Sequence, residues 1–530
     1  MTNLEWARNT TETLYRLGLK NVCISPGSRN TPLTLAFIEH KKINCYSIID
    51  ERSSGFFALG LAKTSQNPVA LITTSGTATA NLYPSIIEAN LSRVPLLILT
   101  ADRPLNLIGT GENQTINQYD IYGHQVRSFI DMGLPGNLKH LIVVLKKSYY
   151  LTLGLDFSGN YINPKGPVHL NFPFGEPLIN ESEINQQIDT DSKKYDILKI
   201  SNVNNFSNDK AITSEILDKV FSQRNLIIVC GEGLNHLELN DLVKFSKKCK
   251  IPILADILSN LRFKFDSKYI LVNYENYLDS IIKFDLILRF GKKPNSKFLN
   301  HFLKKNKDKI CLFDPIGRFN DDVLNIYPFS ISNFPLEINK MNQNDFNSIL
   351  FKFENNYFYK TENYVQKILK FIPNNSQLFI SNSMPIREFD KMSFKLNKNI
   401  NVLGNRGASG IDGIISSAIG MAKANDEKNT ILIIGDVSFF YDLNALQLIK
   451  KYDVKLTIFV INNNGGQIFN KLPYSNYGIP DFKQFWITNP ELNIKQVADL
   501  FKLNHTKIKN INHINGSNFE SQLINELLIP

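Results

Sequence analysis

Apolar residues in the first 110 positions come in short runs rather than in strict alternation. NVCISP, NCYSIID, PVALITT and VPLLILTA are strand-length runs. Between them GSRNTPLTLAFIEH, ERSSGFFALGLAK and SGTATANLYPSIIEAN carry helical periodicity. Strands that do not alternate, separated by helices, predict a parallel sheet covered on both faces. The rhythm returns twice, in NLIIVCGEG, IPILAD, FDLILRFG and KICLFDP, then in LFIS, NVLG, TILIIG and KLTIFVI. The expected architecture is α/β, with three doubly wound parallel-sheet domains spanning 1–185, 186–350 and 351–530. Polar residues near 180–210 read as a linker, and the Asn-rich stretch 318–350 as irregular. Gly231-Glu232-Gly233 resembles part of a dinucleotide loop, but His236 stands where the third glycine belongs, which argues against a nucleotide there.

Composition narrows the class. With 530 residues the chain exceeds one hydrophobic core, and 43% apolar with 20% charged residues suits a globular protein. No apolar run approaches the length of a membrane helix, so no integral membrane segment is expected. The first residues lack an apolar signal core, which makes the cytoplasm the expected address. Five scattered cysteines without a CxxC pair read as reduced core thiols. The net charge of +10 has no basic stripe or recognisable module behind it, so nucleic acid is not an expected partner. Attraction of small anionic substrates is the better use of that charge.

In parallel sheets, ligands bind beyond the carboxyl ends of the strands. Those ends carry Ser25-Pro26-Gly27-Ser28-Arg29, Asp50-Glu51-Arg52, Thr74-Ser75-Gly76-Thr77 and Asp102-Arg103-Pro104, four consecutive polar tips. Further on, TILIIG ends in Gly435-Asp436-Val437-Ser438, and DLNALQLIKKY follows as a helix with Asp442 as its expected N-cap. KLTIFVI then ends in Asn462-Asn463-Asn464-Gly465-Gly466. In a β-α-β unit both tips share one sheet edge, so Asp436 and Asn463, 27 residues apart, converge. A carboxylate, an amide oxygen and the Gly465 carbonyl are hard ligands suited to Mg²⁺, or Mn²⁺, completed by phosphate oxygens. Alone, Asp436 reads as a helix cap and NNNGG as a turn. Together they resemble the GD…NN signature of enzymes that use thiamine diphosphate, although Val437 replaces the usual glycine. Such enzymes hold a Glu against N1′ of the aminopyrimidine to activate C2 of the thiazolium. Glu51 ends the second strand, as that role requires; without the later motif it reads as a helix-start Glu favoured by the dipole. Ile411, 25 residues before Asp436, is the candidate for the side chain that bends the cofactor, a core isoleucine being the alternative.

SPGSRNTPL, DERSSGFFALGLAK, TTSGTATANLYPSIIEANLSRVPLLILTADRP, GENQTINQ, GPVHLNFPFGEPL, GNRGASGIDG and NNNGGQIF, in this order, resemble the 2-succinyl-5-enolpyruvyl-6-hydroxy-3-cyclohexene-1-carboxylate (SEPHCHC) synthases of menaquinone biosynthesis. The resemblance covers about residues 1–180 and 375–475 and is thin elsewhere. It implies decarboxylation of 2-oxoglutarate and conjugate addition of the succinyl carbanion equivalent to isochorismate, in a homodimer or dimer of dimers. Both substrates are dicarboxylates, which arginine forks recognise. The matching cations are Arg29, Arg103, Arg387, Arg406 and Lys297, the last in a poorly matched region where a surface ion pair is an equal reading. Ser28, Asn113, Gln114, Gln118 and Ser383 carry over as polar substrate contacts, and Ile468, Phe469 and Leu472 as an apolar wall. Thr77, Gly435, Ser438, Asn463, Gly465, Gln467 and Ile468 carry over as cofactor contacts. Another carboligase of the superfamily, such as an acetolactate synthase, or a 2-oxo acid decarboxylase needs fewer carboxylate clamps. A non-catalytic relative would be expected to lack Glu51 or Asp436.

Overall fold

The computed structural model describes residues 1–184, 212–278, 284–315, 321, 323–335, 344–356 and 362–529. It contains three six-stranded parallel sheets. The first joins β1 (Asn21–Ile24), β2 (Asn44–Ser47), β3 (Val69–Thr73), β4 (Leu96–Asp102), β5 (Phe129–Asp131) and β6 (Val168–Pro173) in the order β2-β1-β3-β4-β6-β5. The second joins β7 (Leu226–Cys230), β8 (Ile253–Ala255), β9 (Ile270–Leu271), β10 (Leu286–Phe290), β11 (Ile310–Phe313) and β12 (Asn325–Tyr327) as β12-β11-β10-β7-β8-β9. The third joins β13 (Gln377–Ile380), β14 (Asn401–Leu403), β15 (Thr430–Gly435), β16 (Leu456–Asn462), β17 (Asn504–Ile508) and β18 (Leu523–Leu528) as β14-β13-β15-β16-β18-β17. Every residue of β3 and β4 is buried, which is why their sequences run apolar without alternating.

The chain folds into two compact units. One holds residues 1–204, 405–427 and 438–456, and the other 205–404, 428–437 and 457–530. The first sheet lies in the first unit; the second and third sheets lie in the other. This grouping divides the segment 351–530, because the helix Ile414–Ala424 belongs with the first sheet, against the helix Glu51–Ser65. Two glycines make that crossing close. A Cβ on Gly60 would lie 2.0 Å from the Ser417 carbonyl, and one on Gly420 would lie 2.1 Å from the Phe57 carbonyl.

Two expectations change. Asp442 does not cap the turn it opens with its side chain. Its buried carboxylate instead accepts from the Ser416 amide at 2.8 Å and from its hydroxyl. The Asn-rich stretch 318–350 contains β12 and the start of the helix Asn344–Asn356. Gly231 serves packing, since a Cβ there would meet the Lys292 carbonyl at 2.0 Å. The expected linker near 180–210 lies outside the described residues from 185 onward.

Candidate active site

In the first unit the ends of β2, β1, β3 and β4 are neighbours in the sheet, so the four polar tips form one row. Asp50 caps the helix Glu51–Ser65, accepting from the amides of Arg52 and Ser53 at 2.9 and 3.3 Å. That cap fixes Glu51 as the first helical residue. Its carboxylate is half-buried, with no hydrogen bond or ion pair among the described residues. Arg52 turns away, donating to the Tyr441 carbonyl at 3.0 Å with its guanidinium 4.9 Å from that ring.

Arg29 and Arg103 are both buried on this row. Arg29 donates to the Phe174 carbonyl and pairs with Glu176, each at 3.0 Å. Arg103 donates to the Ser75 hydroxyl and, at 2.9 Å, to the Gln114 carbonyl. Burial, and then the neighbouring Arg29 charge, lower the pKa of Arg103. The carboxylates of Glu112, Asp102 and Glu176 oppose that fall. Gln118 is fully buried, accepting from the Gly76 amide at 2.9 Å and donating to Asn171 at 2.9 Å. Gln114 donates to the Ser75 carbonyl at 3.3 Å, whereas Ser28, Thr77 and Asn113 are exposed.

Arg406 and Ile411 precede the helix Ile414–Ala424 in the same unit. Arg406 is half-buried, and the next two amides, of Gly407 and Ala408, donate to Glu88 at 2.8 and 2.7 Å. Glu88 is 2% exposed. Nothing in its surrounding sequence marks it, because the bond crosses more than 300 residues of chain. The Ile411 side chain is 36% exposed, so it is not a core isoleucine. Its carbonyl accepts from the Ser438 hydroxyl at 2.9 Å.

In the other unit, Asp436 follows β15 and Asn463 follows β16, at the ends of adjacent parallel strands. Asp436 is buried. One oxygen accepts from the Val437 amide at 2.8 Å and the other from the Gly465 amide at 2.7 Å. Burial raises its pKa, and the amides of Gly465, Val437 and Asn463 oppose that rise. Gly465 has φ +109°, and a Cβ there would lie 2.4 Å from the Ile487 carbonyl, so this buried turn packs against Ile487 in a way only glycine allows. Among the described residues no group of three His, Cys, Asp or Glu side chains could hold a metal. The donor set here is instead one carboxylate, one amide and backbone carbonyls, which fits Mg²⁺ bound with phosphate. Gln467, Ile468 and Phe469 lie half-buried on the next helical turn, and Leu472 follows it.

Ser383 has φ +69°, a costly conformation for a residue with a side chain, and opens the helix Met384–Met392. Its carbonyl accepts from Arg387 at 2.8 Å. Lys297 is exposed at the start of the helix Lys297–Lys305. It lines a cavity of about 260 Å³ with Arg289, Lys293, His301, Lys304 and Asp321, which none of the other candidates reach.

The chain matches the family described as "Thiamine pyrophosphate enzyme, N-terminal TPP binding domain" over residues 6–121. It matches "Thiamine pyrophosphate enzyme, C-terminal TPP binding domain" over residues 389–517. Glu51 falls in the first match, and Asp436 and Asn463 in the second. A SEPHCHC synthase of Listeria welshimeri is 35% identical over 530 residues, covering 95% of this chain and 90% of the relative. The chain belongs to the SEPHCHC synthase family. Relatives of the same name are 37% identical in Bacillus cytotoxicus, over 87% of this chain and 82% of theirs, and 35% identical in Bacillus pumilus, over 92% and 87%. As a member of this family it is an enzyme that uses thiamine diphosphate. The two matched domains leave out residues 122–388, which include Lys297, Ser383 and Arg387.

Proposed function

We propose that this chain decarboxylates 2-oxoglutarate and adds the remaining succinyl carbanion equivalent to isochorismate, giving SEPHCHC for menaquinone biosynthesis. Bound thiamine diphosphate supplies the nucleophilic carbon and the electron sink. Glu51, held at a helix start with its carboxylate uncommitted, is positioned to hold a proton against the pyrimidine nitrogen. Asp436, Asn463 and the Gly465 carbonyl hold Mg²⁺, which in turn holds the diphosphate. Thr77, Ile411, Gly435, Ser438, Gln467 and Ile468 complete the cofactor site. Arg29, Arg103, Arg387, Arg406 and Lys297 clamp substrate carboxylates, with Ser28, Asn113, Gln114, Gln118 and Ser383 as polar contacts. Phe469 and Leu472 form an apolar wall.

The domain assignment follows: 1–185 binds the pyrimidine, 186–350 is central, and 351–530 binds the diphosphate and metal. The assembly is a homodimer or a dimer of dimers. The address is the cytoplasm, and the five thiols are free in the structure. The observation that carries the substrate assignment is the buried pair Arg29 and Arg103 on the same row as Glu51, in a chain 35% identical to a synthase of that name over nearly its whole length. Purified protein given isochorismate, 2-oxoglutarate, Mg²⁺ and thiamine diphosphate should release CO₂ and consume isochorismate one for one. CO₂ release without loss of isochorismate would remove the reading.

A further inference from the structure

Four buried polar side chains of the second unit belong to no part of the chemistry described so far. Arg262 is fully buried. Its Nε donates to the Ala255 carbonyl at 2.7 Å and its Nη2 to Asp390 Oδ1 at 2.6 Å. Its Nη1 donates to the Asp390 carbonyl at 2.5 Å and to the Ser393 hydroxyl at 2.8 Å. The Tyr274 hydroxyl lies 3.1 Å from Asp390 Oδ2 and accepts from Arg262 at 3.2 Å. Asp390 Oδ1 also accepts from the Ile257 amide at 2.9 Å. The preceding residue, Asp256, accepts from the Asn295 amide at 2.6 Å and from its side chain at 2.8 Å.

The two ends of this network are informative. Asn295 lies two residues before Lys297, and Ser296 between them caps the helix that Lys297 opens, accepting from the Leu299 amide at 3.0 Å. Asp390 stands three residues after Arg387, one turn along the helix that begins at strained Ser383. A fully buried set of charges is an unfavourable way to join two sheets, because apolar side chains of similar volume would hold them as well or better. What a charged, fully hydrogen-bonded set adds is a fixed geometry. We propose that Asp256, Arg262, Tyr274 and Asp390 form a positioning cluster that sets the Lys297 and Arg387 segments in place for carboxylate recognition. The proposal rests on the reading that Lys297 and Arg387 meet substrate.

The test uses the holoenzyme and Tyr274→Phe, which deletes a hydroxyl touching both charges and leaves the ion pair intact. Calorimetry measures binding of isochorismate and of succinylphosphonate, an analogue of 2-oxoglutarate that cannot be decarboxylated. Affinity for one of these dianionic ligands should fall about three- to tenfold, as a small misplacement of a clamp would cause. Affinity for the methyl carboxyl ester of that ligand, and for thiamine diphosphate, should be unchanged. Because the hydroxyl acts through Arg387, Tyr274→Phe should add nothing to Arg387→Ala in the double variant. Asn295→Ala, set against Lys297→Ala, tests the other arm in the same way. Additive losses, equal losses for ester and acid, or a lowered melting temperature with unchanged affinity would overturn the proposal. Turnover of isochorismate by the wild-type enzyme is a separate readout: its absence removes the function, whereas the cluster stands or falls on the binding data.

Discussion

Glu51 and Asp436 are prepared by opposite means. Glu51 is left uncommitted by a cap that its neighbour Asp50 provides, and Arg52, the nearest cation in sequence, is drawn off toward Tyr441. Glu51→Gln keeps the cap and the shape, so folding and cofactor binding should survive. Exchange of the thiazolium C2 proton for deuterium should slow by about a hundred- to ten-thousandfold, the size of a general acid–base contribution. Unchanged exchange would remove the role. Asp436 is instead committed twice, to Val437 and Gly465. Asp436→Ala should abolish retention of thiamine diphosphate through gel filtration, and full retention would contradict the metal assignment. Asp442 offers a test by pH. Burial pushes it up to about 7 from an ordinary 3.8, against the Ser416 hydrogen bonds. The folded chain therefore holds this proton more tightly than the unfolded one. The stability it gives is full below about pH 4 and is lost as pH rises through about 7. Asp442→Asn should thus flatten the fall in urea midpoint between about pH 4 and about pH 7. An unaltered pH slope would show that Asp442 is not the group responsible.

Among the elements, the crossing of Glu51–Ser65 and Ile414–Ala424 carries the sharpest steric demand. Gly420→Ala should cost about 1–3 kcal/mol, the usual penalty for forcing extra atoms into a packed contact. A denaturation midpoint equal to wild type would show that the helices can separate without penalty. Which elements the sequence discloses follows from burial. Fully buried β3 and β4, and β15 and β16, buried up to their last residues, stand out as apolar runs, and the β-α-β logic then places their polar tips on shared edges. β17, NHTKI, is mostly exposed or half-buried and has no such signature. The helix Asn3–Arg16 hides in a polar-looking segment, although Thr2 and Glu5 form a capping box. Asp442 is misread from sequence because a cap and a long-range acceptor look alike there; only the fold reveals Ser416 as its partner. The Glu88 clamp on Gly407 and Ala408 likewise depends on chain segments far apart in sequence.

At the scale of the whole molecule, the two halves of the proposed chemistry lie in separate compact units, Glu51 in one and Asp436 with Asn463 in the other. If the homodimer pairs Glu51 of one copy with Asp436 of its partner, inactive Glu51→Gln and Asp436→Ala chains should complement on mixing. About half of a heterodimer's activity should return, since one of its two sites then carries both lesions and the other none. No recovery despite proven subunit exchange would place each site within one chain. The cofactor is legible in the amino-acid sequence itself, because the proposed metal ligands Asp436 and Asn463 stand 27 residues apart at neighbouring strand ends and Glu51 follows the second strand. The substrates are legible only through resemblance, since five cations specify anions and not which anions. Substrate choice is therefore the claim to press. Holoenzyme offered pyruvate and 2-oxoglutarate together, with isochorismate, should yield by mass spectrometry a single adduct carrying the four succinyl carbons of labelled 2-oxoglutarate. Acetolactate from pyruvate, or an adduct without those carbons, would contradict the account.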